Sequence, residues 1–330
     1  MEAQKPRRSV AIVIPCFNSE ATIGEAIDSA LLQDRVAEIV VVDDGSTDGS
    51  AAIASGYGDR VRVLTGANAG VSIARNRGID ATTAPLIQFL DADDILKPGT
   101  MALRVDALVS SGADAVVTDW QQFRDEGGVR VAEPPRSAPF DDLARDAELS
   151  CMTRFWAPPA AILYRRSIVE RAGRYRADHK TLDDARFLFD VARAGAAFRH
   201  EAHPGALYRV HAGSKSRSDP TAFWLTALRK AVEVEALWRS EGAFTDVRRE
   251  RLADVYNGAA WGLFQAASGE YPVALRAADG RGVRLTPKNR IARTLVRVLG
   301  IDAALGLTRV YARSRRHLRG SGRGEGMSPR

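Results

Sequence analysis

Three carboxylates stand together in Asp91-Ala92-Asp93-Asp94, directly after the apolar run Leu86 to Leu90. Hard divalent cations such as Mg2+ or Mn2+ take oxygen ligands, commonly one or two carboxylates completed by substrate phosphates, so Asp-x-Asp at a strand end suits a metal-bound diphosphate. A solvated acidic turn would carry the same letters. A second acidic group, Asp43, Asp44 and Asp48, surrounds Gly45-Ser46-Thr47. There a carboxylate can accept from a nucleobase N–H or a ribose hydroxyl, while Asp48, Ser and Thr suit the cap of a following helix. Asn68 to Gly78 adds a helix start near Gly70 and two guanidiniums, Arg75 and Arg77. Arg75 suits either a phosphate or one of the strand-end aspartates, and one of the two arginines reads as a surface charge.

These groups need a scaffold that sets strand ends side by side. The first 120 residues alternate short apolar runs with helical patterns, the signature of a mainly parallel α/β sheet. Strands are predicted at Val10 to Ile14, Glu38 to Val42, Val61 to Leu64, Leu86 to Leu90 and Ala115 to Thr118. Helices are predicted at Thr22 to Gln33, Asp48 to Ser55, Val71 to Ala81 and Pro98 to Ser111. Ligands bind beyond the carboxyl ends of strands in open α/β sheets, and the ends here read Pro15-Cys16-Phe17-Asn18, Asp43-Asp44-Gly45-Ser46 and Asp91-Ala92-Asp93-Asp94.

Gln121 to Asp146, rich in Pro, Gly and charge, reads as a loop. A short helix follows at Ser167 to Ala172, then a helix at Asp184 to Ala194 and two strand-like runs ending at Tyr208-Arg209-Val210. Beyond Pro220 helices are predicted at Thr221 to Arg239, Val247 to Ala267, Arg290 to Leu299 and Ala303 to Leu318, with a Gly/Ser/Arg-rich tail from Gly320.

In this order and spacing the chain resembles a family 2 glycosyltransferase of the GT-A fold, of the inverting, bacterial cell-surface polysaccharide type. The resemblance rests on Val-Ala-Ile-Val-Ile-Pro15-Cys-Phe-Asn18, Ile-Val-Val-Val-Asp43-Asp44-Gly-Ser-Thr-Asp48-Gly, Asn68-Ala-Gly-Val-Ser-Ile-Ala-Arg75-Asn76-Arg-Gly78 and Phe-Leu-Asp91-Ala-Asp93-Asp94, four motifs over about 85 residues. It implies that Asp43 reads the nucleobase, that Asp91 contacts the ribose or metal side, and that Asp93 binds Mn2+ or Mg2+. The nucleotide-sugar site would take in Pro15, Phe17, Asn18, Asp43, Asp44, Arg75, Asp91, Ala92 and Arg209.

The resemblance continues more weakly to about residue 218. Leu182-Asp183-Asp184 fits the place where the family has Glu-Asp opening a helix, which makes Asp184 the general base and Asp183 a departure from Glu. Tyr208-Arg209-Val210-His211-Ala-Gly213-Ser214-Lys215 resembles the family's closing loop, in which a His completes the metal shell and basic groups cover the diphosphate. His211 is the corresponding metal ligand. Trp156 is a candidate for an acceptor subsite, whereas Trp120, Trp224, Trp238 and Trp261 read as core, and His179, His200, His203 and His317 as solvated or packing residues.

The domain plan is then a glycosyltransferase domain over 1–219, with a nucleotide half at 9–120 and an acceptor half at 121–219, a helical region over 220–319 and a disordered tail at 320–330. The expected partners are a nucleotide sugar, by default a UDP-sugar, and a glycan or lipid-linked acceptor. Two other classes remain open: a metal-dependent phosphatase using Asp91 as nucleophile, and a non-catalytic nucleotide-sugar-binding protein. A dinucleotide oxidoreductase is excluded, because the first turn is Pro-Cys-Phe-Asn rather than GxGxxG.

Composition narrows the partners further. The net charge is +6, but from Pro287 onward eleven Lys and Arg face only Asp302 and Glu325, about +9, so the remainder is about −3 and offers no nucleic-acid face. Basic amphipathic runs over 287–319 suit an anionic membrane surface, or else pack on the domain. No apolar stretch of 18 to 20 residues is present and the start is charged, so a cytoplasmic location, peripheral to the membrane's inner face if the tail binds it, is expected. Cys16 and Cys151 are too isolated for a disulfide framework or a zinc site.

Overall fold

The computed structural model describes residues 9–178, 181–211 and 219–266, together with 270, 277 and 294. The chain divides into two units, Met1–Ser214 and Lys215–Arg330. Strand β1 (Val10–Cys16), helix α1 (Ile23–Leu31), β2 (Val36–Asp43), α2 (Ser50–Ser55), β3 (Arg62–Thr65), α3 (Val71–Asp80) and β4 (Leu86–Phe89) alternate as the apolar pattern predicts. β1 and β4 are buried along their whole length, which is why they read as unbroken Val, Ile, Leu and Phe runs: parallel strands are covered on both faces.

The rest of the first unit consists of β5 (Ile95–Leu96), α4 (Thr100–Ser111), β6 (Ala115–Glu126), β7 (Val129–Ala132), α5 (Ala147–Thr153), β8 (Ile162–Arg165), α6 (Arg166–Arg171), α7 (Asp183–Arg193) and β9 (Phe198–Arg209). The sheet runs β3-β2-β1-β4-β8-β6-β9-β5, with β7 on β6. β3, β2, β1 and β4 are mutually parallel, and β6 is parallel to β9. The β4–β8, β8–β6, β5–β9 and β6–β7 pairs are antiparallel, so the sheet as a whole is mixed.

Two expectations need correction. Gln121 to Asp146 is not a plain loop: β6 and β7 form a hairpin with Glu126 opposite Val129. Its two-residue turn is Gly127-Gly128, with φ of 60° and 82°, the doubly left-handed conformation that two-residue hairpins favour and side chains resist. α5 then starts at Asp146, whose side chain accepts from the Leu149 N–H at 3.0 Å. The two strand-like runs ending at Tyr208 are one strand, β9. Its register on β6 slips between Glu201 and Ala206, and the slip accommodates Pro204, which has no N–H for the ladder.

What positions the site is an aromatic seam. Phe89 of β4 meets the ring of Tyr175 at 5.1 Å and that of Phe187 on α7 at 6.0 Å, and Tyr175 stacks on Phe187 at 4.1 Å. All three are buried, so the head of α7 is fixed against the strand that ends in Asp91.

In the second unit α8 (Pro220–Ser240) is capped by Asp219 and α9 (Asp246–Gln265) by Thr245. They pack antiparallel: Trp224 lies over Gly258 and Gly262, and Glu235 accepts from the Tyr256 hydroxyl at 2.6 Å. Trp120 and Trp238 are core residues as expected, whereas Trp224 and Trp261 are half-buried. Among the described residues no helix is long and apolar enough to cross a membrane. The helices expected at Arg290 to Leu299 and Ala303 to Leu318, the tail from Gly320, and His179 and His317 lie outside the described residues.

Candidate active site

Parallel pairing of β2, β1 and β4 sets three loops at one edge of the sheet, with Cys16 in register with Asp43. The loops after β1 and β2 are stitched together. The Asn18 N–H donates to Ser46 Oγ at 3.0 Å, while Asn18 Oδ1 accepts from the Thr47 N–H at 2.8 Å. Glu20 N–H donates to Asp48, and Gly49 N–H to Glu20. Asp48 also accepts from the N–H of Ser50, the first residue of α2, at 3.0 Å, from one residue before the cap position Gly49. Phe17 and Asn18 are exposed there, whereas Pro15 is buried inside β1 and Ala92 beyond β4, so these two shape the loops.

Asp43 is buried and takes only long bonds, 3.3 and 3.4 Å, from the Ser46 N–H. Asp44 is different. Its two oxygens accept from the Ala69 and Gly70 N–H groups at 2.9 and 2.7 Å, so it anchors the turn into α3. Each of those oxygens, expected to face a nucleotide, thus already takes one backbone N–H.

Arg75 of α3, also buried, bridges two acidic segments. One terminal nitrogen lies 2.6 Å from Asp91 Oδ1, the other pairs with Asp183, and the guanidinium sits over the Tyr175 ring at 4.8 Å. Of its two expected roles the aspartate-holding one is seen, and both terminal nitrogens are engaged rather than open to a phosphate. Arg209, expected over the diphosphate, is engaged by its neighbours. Its Nε donates to the Asp93 carbonyl at 2.8 Å, its terminal nitrogens pair with Asp125 and Glu25, and it stacks over Phe123 at 4.5 Å. Parallel pairing of β6 with β9 sets Phe123 opposite Arg209 and so places Asp125, two residues further along β6, within its reach.

Asp93 Oδ2 and His211 Nε2 are 3.0 Å apart. Burial, then the charge of Asp91, raises the Asp93 carboxyl's proton affinity, against the pull of His211. Crowded negative charge beside an imidazole nitrogen suits a divalent cation that completes its shell with phosphate oxygens and water. Asp91 Oδ1 pairs with Arg75, and among the described residues no group of three His, Cys, Asp or Glu donors is assembled; Asp93 and His211 are the two expected ligands found in contact. Next to them Asp94 is buried. It accepts from the Arg209 N–H at 2.9 Å and is pushed well above the usual carboxylate range by burial and by Asp93 and Asp91.

Asp184 opens α7 beside Asp183. The residue before them, Leu182, has a left-handed backbone (φ 55°), rare without glycine and found where a chain must be re-aimed. Asp184 Oδ2 accepts from the Trp156 indole N–H at 2.7 Å, and Oδ1 from the Ala185 N–H at 2.7 Å. Burial and the neighbouring Asp183 push its pKa up to about 6, opposed by the Trp156 bond and Arg75. That is the range in which a carboxylate is both ionised at neutral pH and a useful base.

Two participants escaped the sequence reading. Nothing in the sequence around Trp156, a candidate for an acceptor subsite, indicates its bond to Asp184. The Tyr208 ring packs edge-on to Trp156 at 5.8 Å, and its hydroxyl is held well above its ordinary pKa by burial and then by the charges of Asp94, Asp184, Asp91 and Asp93. Its position one residue before Arg209 on β9 was the available signal. His200 is a packing residue, bonded to Asp119 at 2.8 Å and stacked on Phe140. Cys16 and Cys151 are buried and free.

Residues 11–173 match the sequence profile of the family described as Glycosyl transferase family 2. This region belongs to glycosyl transferase family 2. The chain is similar to "Uncharacterized glycosyltransferase YibD" of Escherichia coli (strain K12), 30% identical over 231 residues, covering 61% of this chain and 64% of that protein. It is similar also to "Succinoglycan biosynthesis protein ExoO" of Rhizobium meliloti (strain 1021), 29% identical over 217 residues, with 63% and 62% covered. The chain thus spans less than two thirds of the length of these relatives. Among solved structures, S. aureus TarS 1-349 in complex with UDP-GlcNAc shares the fold, with a TM-score of 0.63, 19% identity, and 93% of this chain and 92% of that one covered. The family 2 assignment disfavours the phosphatase reading, which would need Asp91 as a free nucleophile where Arg75 holds it.

Proposed function

We propose that the chain is an inverting glycosyltransferase that moves a sugar from a UDP-sugar to a hydroxyl of a glycan or lipid-linked glycan, with Asp184 as general base. The observation that carries this reading is the Arg75 bridge. It ties Asp91, just beyond the strand that leads into the Asp-x-Asp, to Asp183, next to a half-buried carboxylate whose pKa stands near 6. The donor class is supported by the UDP and UDP-GlcNAc complexes of TarS, and the glycan acceptor by the names of the relatives.

A sugar hydroxyl is a weak nucleophile that must lose its proton as the new bond forms. Asp184 takes that proton while the acceptor oxygen bonds to the anomeric carbon. The bond from that carbon to the diphosphate oxygen breaks, and its electron pair leaves with UDP. A single base and a single in-line displacement invert the anomeric configuration. Asp93 and His211 would hold a divalent cation, Mn2+ or Mg2+, whose charge offsets that of the departing diphosphate. Asp43 and the exposed Phe17 and Asn18 form the nucleotide end, and Asp44, Arg75 and Arg209 keep the loops and carboxylates in place. The domain boundary near residue 219 is part of the same reading, with 9–120 serving the nucleotide and 121–219 the acceptor.

The test is a panel of UDP-sugars with Mn2+ and a set of saccharide acceptors, with the product's anomeric configuration read by NMR. The expected product has the configuration opposite to the donor's. A product of retained configuration, or no transfer from any nucleotide sugar, contradicts the proposal.

A further inference from the structure

The indole N–H of Trp156 reaches Asp184 Oδ2 at 2.7 Å, the distance of a bond strengthened by charge. The donor is held in place. Trp156 packs edge-on to Trp120 at 5.9 Å on one side and to Tyr208 at 5.8 Å on the other, with interplanar angles of 88° and 80°. Its chain leads directly into Pro158-Pro159, where the Pro159 carbonyl accepts from Gln88 of β4 at 2.9 Å. A half-buried carboxylate next to Asp183, with Arg75 as the cation that most opposes its protonation, would tend to keep its proton and lose its use as a base. An N–H donor favours the anion and orients it, leaving the remaining lone pairs of Oδ2 and Oδ1 for a substrate.

We infer that Trp156 is a positioning residue for Asp184: its N–H holds the carboxylate ionised and aimed so that it can take the acceptor proton. This rests on the general-base reading above. Trp120 and Tyr208 serve as the walls that stop the indole from turning.

The substitution Trp156→Phe keeps a ring between Trp120 and Tyr208 and removes the N–H. With a UDP-sugar that turns over, kcat should fall by about 10- to 100-fold while the donor KM and UDP affinity stay within about twofold. The acid limb of the kcat–pH profile should move up by about one to two units, the effect expected for losing a hydrogen bond to an ionised group. In the intact protein the assigned Trp156 indole N–H resonance should shift with pH, at the midpoint of that limb. This second reading does not depend on the variant folding. A Trp156→Phe enzyme with unchanged rate and limb overturns the inference, as does an indole resonance that stays fixed from pH 5 to 8. Asp184→Asn in the same assay separates the two levels: if it keeps transfer and the wild-type limb, the base assignment itself is wrong. If it abolishes transfer while Trp156→Phe changes nothing, only the role of Trp156 falls.

Discussion

Arg75 and Asp91 are held 2.6 Å apart, and the same guanidinium binds Asp183 at the head of α7. One buried side chain, 16 residues before Asp91 and 108 before Asp183, thus joins the end of the Asp-x-Asp strand to the helix that carries Asp184. Arg75→Met would leave two partly buried carboxylates facing each other without a counter-charge. Stability should drop by about 3 kcal/mol or more, read by urea denaturation. Arg75→Lys keeps the charge but cannot bridge both carboxylates in a fork, so it should fold better and still lose most of kcat. Wild-type kcat in Arg75→Lys would show that the bridge does not matter to the reaction.

Removing the metal should remove turnover. With EDTA, or in Asp93→Ala, transfer should fall by about 10² or more, since a lost charge stabilisation of several kcal/mol is worth about tenfold per 1.4 kcal/mol. His211→Ala should weaken the Mn2+ dependence of UDP binding in calorimetry. Full activity in EDTA would mean that Asp93 and His211 serve some other purpose.

Asp184 makes stability depend on pH. Its pKa in the folded state, about 6, lies above the ordinary carboxylate value near 3.8. The folded protein therefore favours the protonated form, so the stabilising contribution is complete below about pH 4 and is lost as pH rises through about 6. Asp184→Asn should then be close to neutral at pH 4 and stabilising at pH 7, on the order of 2–3 kcal/mol at most. Urea unfolding at the two pH values measures the difference. A variant less stable than wild type at pH 7 would contradict the raised pKa.

Gly78 shows how closely α3 lies on β1. A Cβ there would come within 2.2 Å of Val13 Cγ1. Gly78→Ala should destabilise the fold by about 1–3 kcal/mol through overpacking, visible as a lower midpoint in urea, and should disturb Arg75 three residues away on the same helix. A variant as stable as wild type would mean that the helix can lift off without loss.

The segment 287–319, outside the described residues, is tested by liposome flotation. Each basic residue near an anionic surface is worth about 1 kcal/mol, so full-length protein should float with anionic and not with neutral vesicles, and salt should release it. Truncation after Thr286 should abolish flotation. Equal flotation of both forms, or none, would mean a packed appendage.

Much of the nucleotide half was legible because its physics is local. β1 to β4 are short apolar runs, and Asp43 and Asp91 stand where those runs stop. What stayed hidden was set by pairing across distance. The partners of Arg209 are not readable near it in sequence, because Asp125, 84 residues earlier, is brought there by the β6–β9 pairing and Glu25 lies 184 residues earlier. Arg75 was ambiguous for the same reason. Nothing local to Trp156 or Asp184 reports that they touch; the aromatic seam of Phe89, Tyr175 and Phe187 brings α7 to that place.

The most direct measurement is sugar transfer by Asp184→Asn, with UDP binding followed by calorimetry in Mn2+ on the same preparation. Asn keeps the size and the Trp156 hydrogen bond but cannot accept the acceptor's proton. Transfer should fall by roughly 10² to 10⁴ while UDP binds with close to wild-type affinity. Transfer near the wild-type rate would show that another group is the base and would contradict the account.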